Sequence, residues 1–327
     1  MMTCLKTLLQ LASLALLTIT SAPTLAQDDF PSRPLTLVVP FPPGGVADAV
    51  GRPVAEAMGR ALKQSMIVEN KGGAGGGIGM AQVAKSKADG YSLLMALSSV
   101  VVLPEADKVL RRTPMFTLDQ LKPIARFTAD PTVLVVRADS PWKTYAEFMV
   151  AVKAKPGAMS FGSSGNYGTM HVPMEQLKIA TNSFMLHVPY TGAGPAVLAV
   201  LAGQVDAAST GPSSVVQQIR AGKLRALAHW GEGRLAALPE VPSLKELGVP
   251  VSYSQWAGLF VPAATPESVV AKLRQAARMA ADDARAKQAL ISAGSSFQYL
   301  DAPEFERFVQ TDAKAMALVV QRIGRVE

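Results

Sequence analysis

The chain has 327 residues, with 32 Lys or Arg against 25 Asp or Glu, so its formal net charge is +7. The basic residues are scattered along the chain, which argues against a nucleic-acid-binding surface. The three histidines do not show the short spacing of a zinc site, and the length suffices for two domains with their own cores.

The first 26 residues predict a secretory signal peptide. Lys6 is their only charge, residues 8–20 are mostly apolar, and the segment ends with the small residue Ala26. The apolar run is shorter than the roughly 20 residues that span a membrane. We therefore expect cleavage near Ala26 and export to a bacterial periplasm. The only cysteine, Cys4, would leave with the signal, so the mature chain would depend on core burial without disulfides.

From Leu35 onward, short apolar runs alternate with segments of helical period. This pattern predicts an α/β fold with mostly parallel sheets flanked by helices. The predicted strands are 35–39, 66–68, 93–96, 133–136, 160–161, 186–188, 205–208 and 224–228. The predicted helices are 47–62, one capped by Thr144, 169–180, 193–202, 213–221, one starting at 266, 282–293 and one capped by Asp301. Two strand–helix sets without a linker predict two closely connected lobes, with ligands at the strand C-termini.

Three loops between a predicted strand and a predicted helix are candidates for anion binding. They are residues 40–48 (PFPPGGVAD), 162–169 (GSSGNYGT) and 189–194 (PYTGAG). Glycine lets backbone amides approach a ligand closely, and a helix N-terminus attracts negative charge. Each loop alone could be an ordinary steric turn. Three of them at equivalent strand ends favour a ligand site.

Two polar side chains near these loops have both a functional and a structural interpretation. His171 follows the second loop and is either a ligand donor or a satisfied structural residue. Asp206 is predicted in a strand, where a buried carboxylate would need amide partners or a cationic ligand group. An exposed position at the sheet edge is the alternative for Asp206.

The motifs of the common enzyme classes are absent or incomplete. The glycine-rich stretch 72–79 lacks the spacing of a dinucleotide or phosphate loop, so it predicts a tight structural loop. Residues 162–166 fail the G-x-S-x-G spacing, and 140–143 match S-x-x-K without its accompanying elements. We therefore expect a binding protein with no catalytic residues, no metal site and no cofactor.

A series of motifs along nearly all of the mature chain resembles the Bug/TctC family of periplasmic tripartite tricarboxylate transporter substrate-binding proteins. Besides the three loops, the motifs are 31–34 (PSRP), 68–70 (VEN), 89–91 (DGY), 187–190 (HVPY), 203–206 (GQVD), 221–228 (AGKLRALA) and 239–242 (PEVP). The resemblance implies a two-lobed type II periplasmic binding protein, or Venus flytrap. It places lobe 1 at 27–128 and 233–327, and lobe 2 at 129–232.

The resemblance also implies which residues contact the ligand, mostly through backbone amides and hydroxyls. These residues are Pro42, Pro43, Gly44, Gly45, Asp48 and Ser98 in lobe 1, and Ser163, Ser164, Gly165, Thr169, His171, Tyr190, Gly192 and Asp206 in lobe 2. Val46, Thr191 and the apolar run 100–103 depart from the family pattern. They predict a less polar pocket, which makes a tricarboxylate a less secure ligand.

The function implied is that of a monomeric periplasmic receptor. It would capture a small carboxylate in the interlobe cleft for the membrane permease subunits of a tripartite tricarboxylate transporter. The alternative is a ligand sensor that presents a bound solute to a membrane signalling partner. An exported hydrolase that uses Ser140 or Ser164 is a third hypothesis.

Overall fold

The computed structural model describes residues 30–326, so the predicted signal peptide lies outside the described residues. The chain divides after Ser32 into two units, and the strands and helices of the described residues all belong to the unit that begins at Arg33. Within residues 30–326, no helix combines the length and the apolar character needed to cross a membrane.

The strands form two sheets. The first contains β1 (Leu35–Val39), β2 (Met66–Asn70), β3 (Ser92–Leu97), β4 (Leu121–Pro131), β10 (Ser254–Pro262) and β11 (Phe297–Leu300), in the order β11-β4-β10-β3-β1-β2. The second contains β5 (Val133–Arg137), β6 (Ser160–Ser163), β7 (Leu186–Pro189), β8 (Ala207–Thr210) and β9 (Leu224–His229), in the order β7-β6-β8-β5-β9. Each sheet is the centre of one lobe.

The helices lie between the strands in sequence. They are α1 (Val46–Leu62), α2 (Gly77–Ala84), α3 (Ser99–Val109), α4 (Tyr145–Ala154), α5 (His171–Thr181), α6 (Ala193–Leu201), α7 (Val216–Arg220), α8 (Glu267–Asp282), α9 (Ala284–Ala293) and α10 (Ala302–Ile323). Short 3₁₀ turns occupy Ala74–Gly76, Leu118–Gln120 and Pro212–Ser214. Helix α1 buries Val50, Val54 and Met58, the face that the four-residue spacing predicts.

Both sheets are mixed rather than mostly parallel. Strand β1 is parallel to β2 and β3, and β6 is parallel to β7 and β8, whereas β4, β5, β9, β10 and β11 pair in antiparallel fashion. The reason lies in the connection between the lobes. Strand β4 leaves the first sheet towards the second lobe and its neighbour β10 starts where the chain returns, so the two must run in opposite directions.

The crossings between the lobes differ from the predicted boundaries. Strand β4 stays in the first sheet up to Pro131, so the first crossing is at Thr132 rather than at 128. After β9 the chain remains with the second lobe, because Leu235, Leu238 and Val241 pack in the core of the second sheet. The second boundary therefore moves from residue 232 to the segment between 249 and 254. Residues 233–249 have no helical or strand period, so the periodicity of the sequence could not predict that they belong to the second lobe.

Candidate functional site

The carboxyl ends of the parallel strands in each sheet lead into a common set of loops. In the first lobe these are residues 40–45 after β1, 71–76 after β2 and 98 after β3. In the second lobe they are 164–170 after β6, 190–192 after β7 and 211–215 after β8. We call these segments the cleft loops. The carboxyl ends of parallel strands are the usual position of ligand sites in such sheets.

The cleft loops of the two lobes lie in direct contact with each other. A Cβ placed on Gly192 would lie 2.5 Å from Cδ of Pro42, and one on Gly165 would lie 2.8 Å from the amide nitrogen of Gly75. A Cβ on Gly45 would lie 3.6 Å from Cβ of Ala193. The structure therefore has the lobes closed on each other, with glycine where the backbones approach most closely.

The predicted loops thus come together, and two helices start at their point of contact. Helix α1 begins after Gly45 and α6 begins after Gly192, and neither N-terminus is capped by a side chain. A Cβ on Gly45 would lie 3.9 Å from the amide nitrogen of Gly194 in the first turn of α6. Two positive helix ends therefore face the same small region, which favours a bound anion.

Asp48 stabilises the first-lobe loop from inside. The side chain is buried, and its Oδ2 accepts hydrogen bonds from the Gly44 N–H (3.1 Å) and Arg52 Nε (3.0 Å), while Oδ1 accepts from Asn70 Nδ2 (3.0 Å). Burial raises the pKa of Asp48, but these hydrogen bonds outweigh it and hold the pKa below its ordinary value. Because both carboxylate oxygens are engaged, Asp48 orients the loop and this geometry does not favour direct ligand contact.

Ser163, Ser164 and Gly165 form the second-lobe loop after β6. The Ser163 hydroxyl lies 2.5 Å from His187 Nε2 and accepts from the Gly165 N–H at 3.1 Å. The Ser164 hydroxyl is buried and has no hydrogen-bond partner among the described residues. Ser163 therefore shapes the loop, whereas Ser164 keeps a free hydroxyl.

His171 is completely buried and belongs to a stacked pair of histidines. Its Nδ1 accepts from the Tyr167 N–H at 3.0 Å, its Nε2 lies 3.4 Å from Glu175 Oε1, and its ring stacks on His187 at 4.1 Å. Burial, together with the neighbouring His171, lowers the pKa of His187 to about 3. The Nδ1 contact favours the structural interpretation of His171, whereas Nε2 approaches Glu175 and has no hydrogen-bond partner among the described residues.

Asp206 lies at the opposite end of the second sheet from the cleft loops. Its Oδ2 accepts from the backbone N–H (2.8 Å) and the hydroxyl (3.1 Å) of Ser160, the first residue of β6. Strand β8 begins at Ala207, two residues later than predicted, which leaves Asp206 at the amino ends of the strands. This placement differs from the predicted ligand contact: Asp206 ties two strands together.

The remaining predicted residues lie in or beside the cleft loops. Tyr190 is half-buried beside Gly162 and donates its N–H to the Ser163 carbonyl at 2.9 Å. A Cβ on Gly194 would lie 3.2 Å from the carbonyl oxygen of Pro43. Pro43 therefore contributes to the contact between the lobes.

Two buried residues beside the cleft loops, Tyr253 and Gln255, were not predicted from the sequence. Tyr253 directly precedes β10 and Gln255 belongs to it. Gln255 Nε2 donates to Thr169 Oγ1 at 2.6 Å, and the Tyr253 hydroxyl lies 3.0 Å from that of Ser98. All four side chains are buried. Gln255 Oε1 and Thr210 Oγ1 are also buried, without a partner among the described residues. Strand β10 has no predicted counterpart, so no signal pointed to Gln255.

In the glycine-rich stretch 72–79, residues 72–76 form the tight structural loop that the sequence predicts, whereas residues 77–79 begin α2, and the loop also belongs to the cleft. A Cβ on Gly75 would lie 3.2 Å from the Asn166 carbonyl of the second lobe, and the Ser99 hydroxyl donates to the Gly75 carbonyl at 3.0 Å. The high glycine content of this stretch is the sequence feature from which a close approach of the two lobes could have been predicted. Across residues 30–326, no three His, Cys, Asp or Glu side chains are grouped so that they could hold a metal ion.

Comparison with known proteins gives consistent matches over most of the chain. The model of the tripartite tricarboxylate transporter family receptor (TctC) matches residues 50–325. The UPF0065 protein in the gbd 5' region of Cupriavidus necator is 33% identical over 314 residues, which cover 96% of this chain and 94% of that protein.

Solved structures share the two-lobed fold. The periplasmic binding protein BugD is 30% identical with a TM-score of 0.86, covering 90% of this chain and 99% of that one. MatC from Rhodopseudomonas palustris with bound malate is 30% identical with a TM-score of 0.82, covering 89% and 100%. Rpa4515 of R. palustris with adipate is 25% identical with a TM-score of 0.84, covering 90% and 98%.

Proposed function

Because this chain belongs to the tripartite tricarboxylate transporter receptor family, we propose that it captures a small carboxylate in the interlobe cleft and delivers it to the family's membrane permease subunits. The family and the structural relatives are solute-binding receptors rather than enzymes. Capture would take place in the periplasm, after removal of the predicted signal peptide.

The observation that supports a carboxylate is the pair of uncapped helix N-termini at the contact between the lobes. Helices α1 and α6 each present their first N–H groups there without a side-chain cap. A carboxylate between them would accept hydrogen bonds from both lobes and neutralise two like partial charges. Arg52, the cation next to this loop, is engaged by Asp48 and Asn70. The relatives that bind malate and adipate, both dicarboxylates, support the same ligand class.

Capture also requires that the ligand favour the closed state over the open one. An anion that touches both α1 and α6 would do so, because the two helix ends come together only when the lobes close. The free Ser164 and Thr210 hydroxyls and the Gln255 carbonyl would then accept or donate the ligand's remaining hydrogen bonds.

Calorimetry of residues 27–327 with malate, succinate, adipate and citrate tests the ligand class, with succinamide as the neutral control. We expect saturable binding of at least one dicarboxylate and none of the diamide. The absence of saturable heat with every carboxylate would contradict the proposal.

A proline at the first position of α6 tests the role of the helix end. Ala193→Pro removes one N–H while proline is well tolerated at this position of a helix. Loss of one charge-assisted hydrogen bond should weaken binding about tenfold or more. Ala284→Pro, at the equivalent position of α9, is the matched control and should bind normally. Equal affinities in both variants would place the carboxylate elsewhere.

Delivery is tested separately from binding. Deletion of the gene should abolish uptake of the labelled carboxylate, and the intact gene should restore it. Normal uptake by the deletion strain would contradict delivery and favour the sensor hypothesis, which leaves capture unaffected.

A further inference from the structure

The segment after α10 connects the first lobe to a cleft loop of the second lobe. Helix α10 belongs to the first lobe, where Asp312 accepts a hydrogen bond from Trp256 Nε1 of β10 at 2.7 Å and Phe305 is fully buried. The helix ends at Ile323, and Gly324 and Val326 then reach the second lobe.

Tyr167 is the residue of the second lobe that meets this segment. Its hydroxyl donates to the Gly324 carbonyl at 2.5 Å and accepts from the Val326 N–H at 3.3 Å. Tyr167 is fully buried, whereas Gly324 and Val326 are half-buried, so the hydrogen bonds are shielded from water on the side of the tyrosine. We call Tyr167, Gly324 and Val326 the clasp.

The backbone of Tyr167 is held as firmly as its hydroxyl. Its φ is +55°, a conformation that non-glycine residues seldom adopt, and its N–H donates to His171 Nδ1. It lies between Gly165 and Gly168, the part of the loop that faces Gly75 of the first lobe. Such strain persists where the surroundings fix a residue from several sides. The clasp is therefore joined rigidly to the second-lobe loop of the cleft.

The clasp lies beside a crevice between α5 and α10. This crevice of about 620 Å³ is lined by Gln176, Ile179 and Ala180 on one side and Met316, Val319 and Ile323 on the other. The two helices also contact each other, so the clasp adds two directed hydrogen bonds to the contact between the lobes on this side.

We propose that the clasp stabilises the closed state independently of the ligand, so that a fraction of the protein is closed before any ligand arrives. Both of its hydrogen bonds join protein groups of opposite lobes, so separation of the lobes at the clasp would break them. This inference goes beyond the proposed function and does not rest on the identity of the ligand. The clasp would set the equilibrium between open and closed states on which any ligand acts.

Distance measurements between spin labels on the two lobes test the clasp without ligand. Ile67→Cys on β2 and Leu198→Cys on α6 place the labels at exposed positions of lobe 1 and lobe 2. The otherwise unchanged protein should give a short and a long distance. Tyr167→Phe keeps the buried ring but removes both hydrogen bonds, so the closed-to-open ratio should fall about fivefold or more.

Tyr145→Phe is the matched control. Tyr145 is also a buried tyrosine of the second lobe, but its hydroxyl has no hydrogen-bond partner among the described residues, so this substitution should leave the ratio unchanged. Val326→Pro is a second test that leaves Tyr167 in place: it removes the Val326 N–H donor near the end of the chain and should shift the ratio in the same direction.

Three results would overturn the proposal. They are a single long distance in the ligand-free protein, an unchanged ratio in both Tyr167→Phe and Val326→Pro, and an equal shift in Tyr145→Phe. Should Tyr167→Phe not fold, as judged by its circular dichroism, Val326→Pro alone decides. None of these outcomes depends on carboxylate binding, so failure of the clasp and failure of the proposed function are distinguishable.

Discussion

Asp130 is a buried carboxylate close to the first crossing between the lobes. Its Oδ1 accepts the Ser296 N–H at 2.6 Å, and burial raises its pKa to about 6. The folded protein therefore binds a proton more tightly than the unfolded chain between pH 3.8 and 6. The free energy of unfolding therefore falls as the pH rises through this range, because the unfolded chain ionises there and the folded protein does not, by up to about 3 kcal/mol above pH 6.

Asp130→Asn should therefore stabilise the protein at neutral pH. The amide keeps an acceptor for the Ser296 N–H and carries no charge. We expect the unfolding temperature to exceed that of the unchanged protein at pH 7.5, with a much smaller gain at pH 4.5. Circular dichroism melts at both pH values measure this, with the exposed Asp139→Asn as control. An equal gain at both pH values would show that charge burial is not the cause.

His187 has the opposite effect on the pH dependence of stability. Its pKa is lowered to about 3, so between pH 6.5 and 3 the unfolded chain takes up a proton that the folded protein does not. The stability at neutral pH is therefore lost progressively as the pH falls below 6.5. We expect His187→Gln to lose about 2.5 kcal/mol less stability than the unchanged protein between pH 7 and pH 4.5, measured by urea unfolding. Parallel losses in both proteins would contradict this.

At the scale of elements, α4 begins at a capping box that the sequence predicts. Thr144 Oγ1 accepts from the Glu147 N–H at 3.2 Å, and Glu147 Oε2 accepts from the Thr144 N–H at 3.1 Å. Thr144→Ala should lower the free energy of unfolding by about 1 kcal/mol, whereas Thr144→Ser should leave it nearly unchanged. Urea unfolding measures both. Equal stabilities of the Ala and Ser variants would mean that the cap contributes nothing.

Elements with a clear period were predictable, and those without one were not. Strand β1 was predicted with its observed bounds, and α1 begins one residue before the predicted start. Strand β4 was missed because Lys122, Pro123 and Arg126 interrupt its apolar run, although the strand lies between β11 and β10 in the first sheet. Helix α3 was missed because its consecutive valines and Pro104 show no helical period. In both cases tertiary packing determines the secondary structure, because the local sequence does not favour one type of element.

The candidate site was predictable to the level of its loops. Glycine and proline predict turns at residues 40–45 and 189–192 with amides available to a ligand, and the structure brings these loops together. The roles of single side chains were less accessible. Asp48 and His171 are engaged inside the protein, and Gln255 comes from a distant part of the chain. Such roles depend on which groups come into contact in the folded protein. A local sequence motif does not determine these contacts.

At the scale of the whole molecule, closure depends on glycine at the contact between the lobes. Gly192 has an extended backbone with φ of 173°, so alanine fits its conformation, but the new Cβ would lie 2.5 Å from Pro42 Cδ. Gly192→Ala should therefore oppose closure without destabilising either lobe. We expect an unchanged unfolding temperature, a larger radius of gyration in solution scattering and about tenfold weaker carboxylate binding.

The control for this substitution is Gly233→Ala. A Cβ there would meet no atom within 4 Å, so the substitution introduces no contact between the lobes. Gly233→Ala should match the unchanged protein in radius of gyration and affinity. If Gly192→Ala matches it too, the contact between Pro42 and Gly192 does not limit closure.

The uncapped ends of α1 and α6 have a consequence for how such a receptor diverges. Every residue except proline carries a backbone N–H, so under the proposed carboxylate binding, substitutions around these helix ends would alter the shape of the pocket and leave its attraction for anions intact. Relatives that share about a third of their residues would in this way acquire new ligands of the same charge. The proposed recognition would then be inherited through the path of the main chain, while the side chains around it vary.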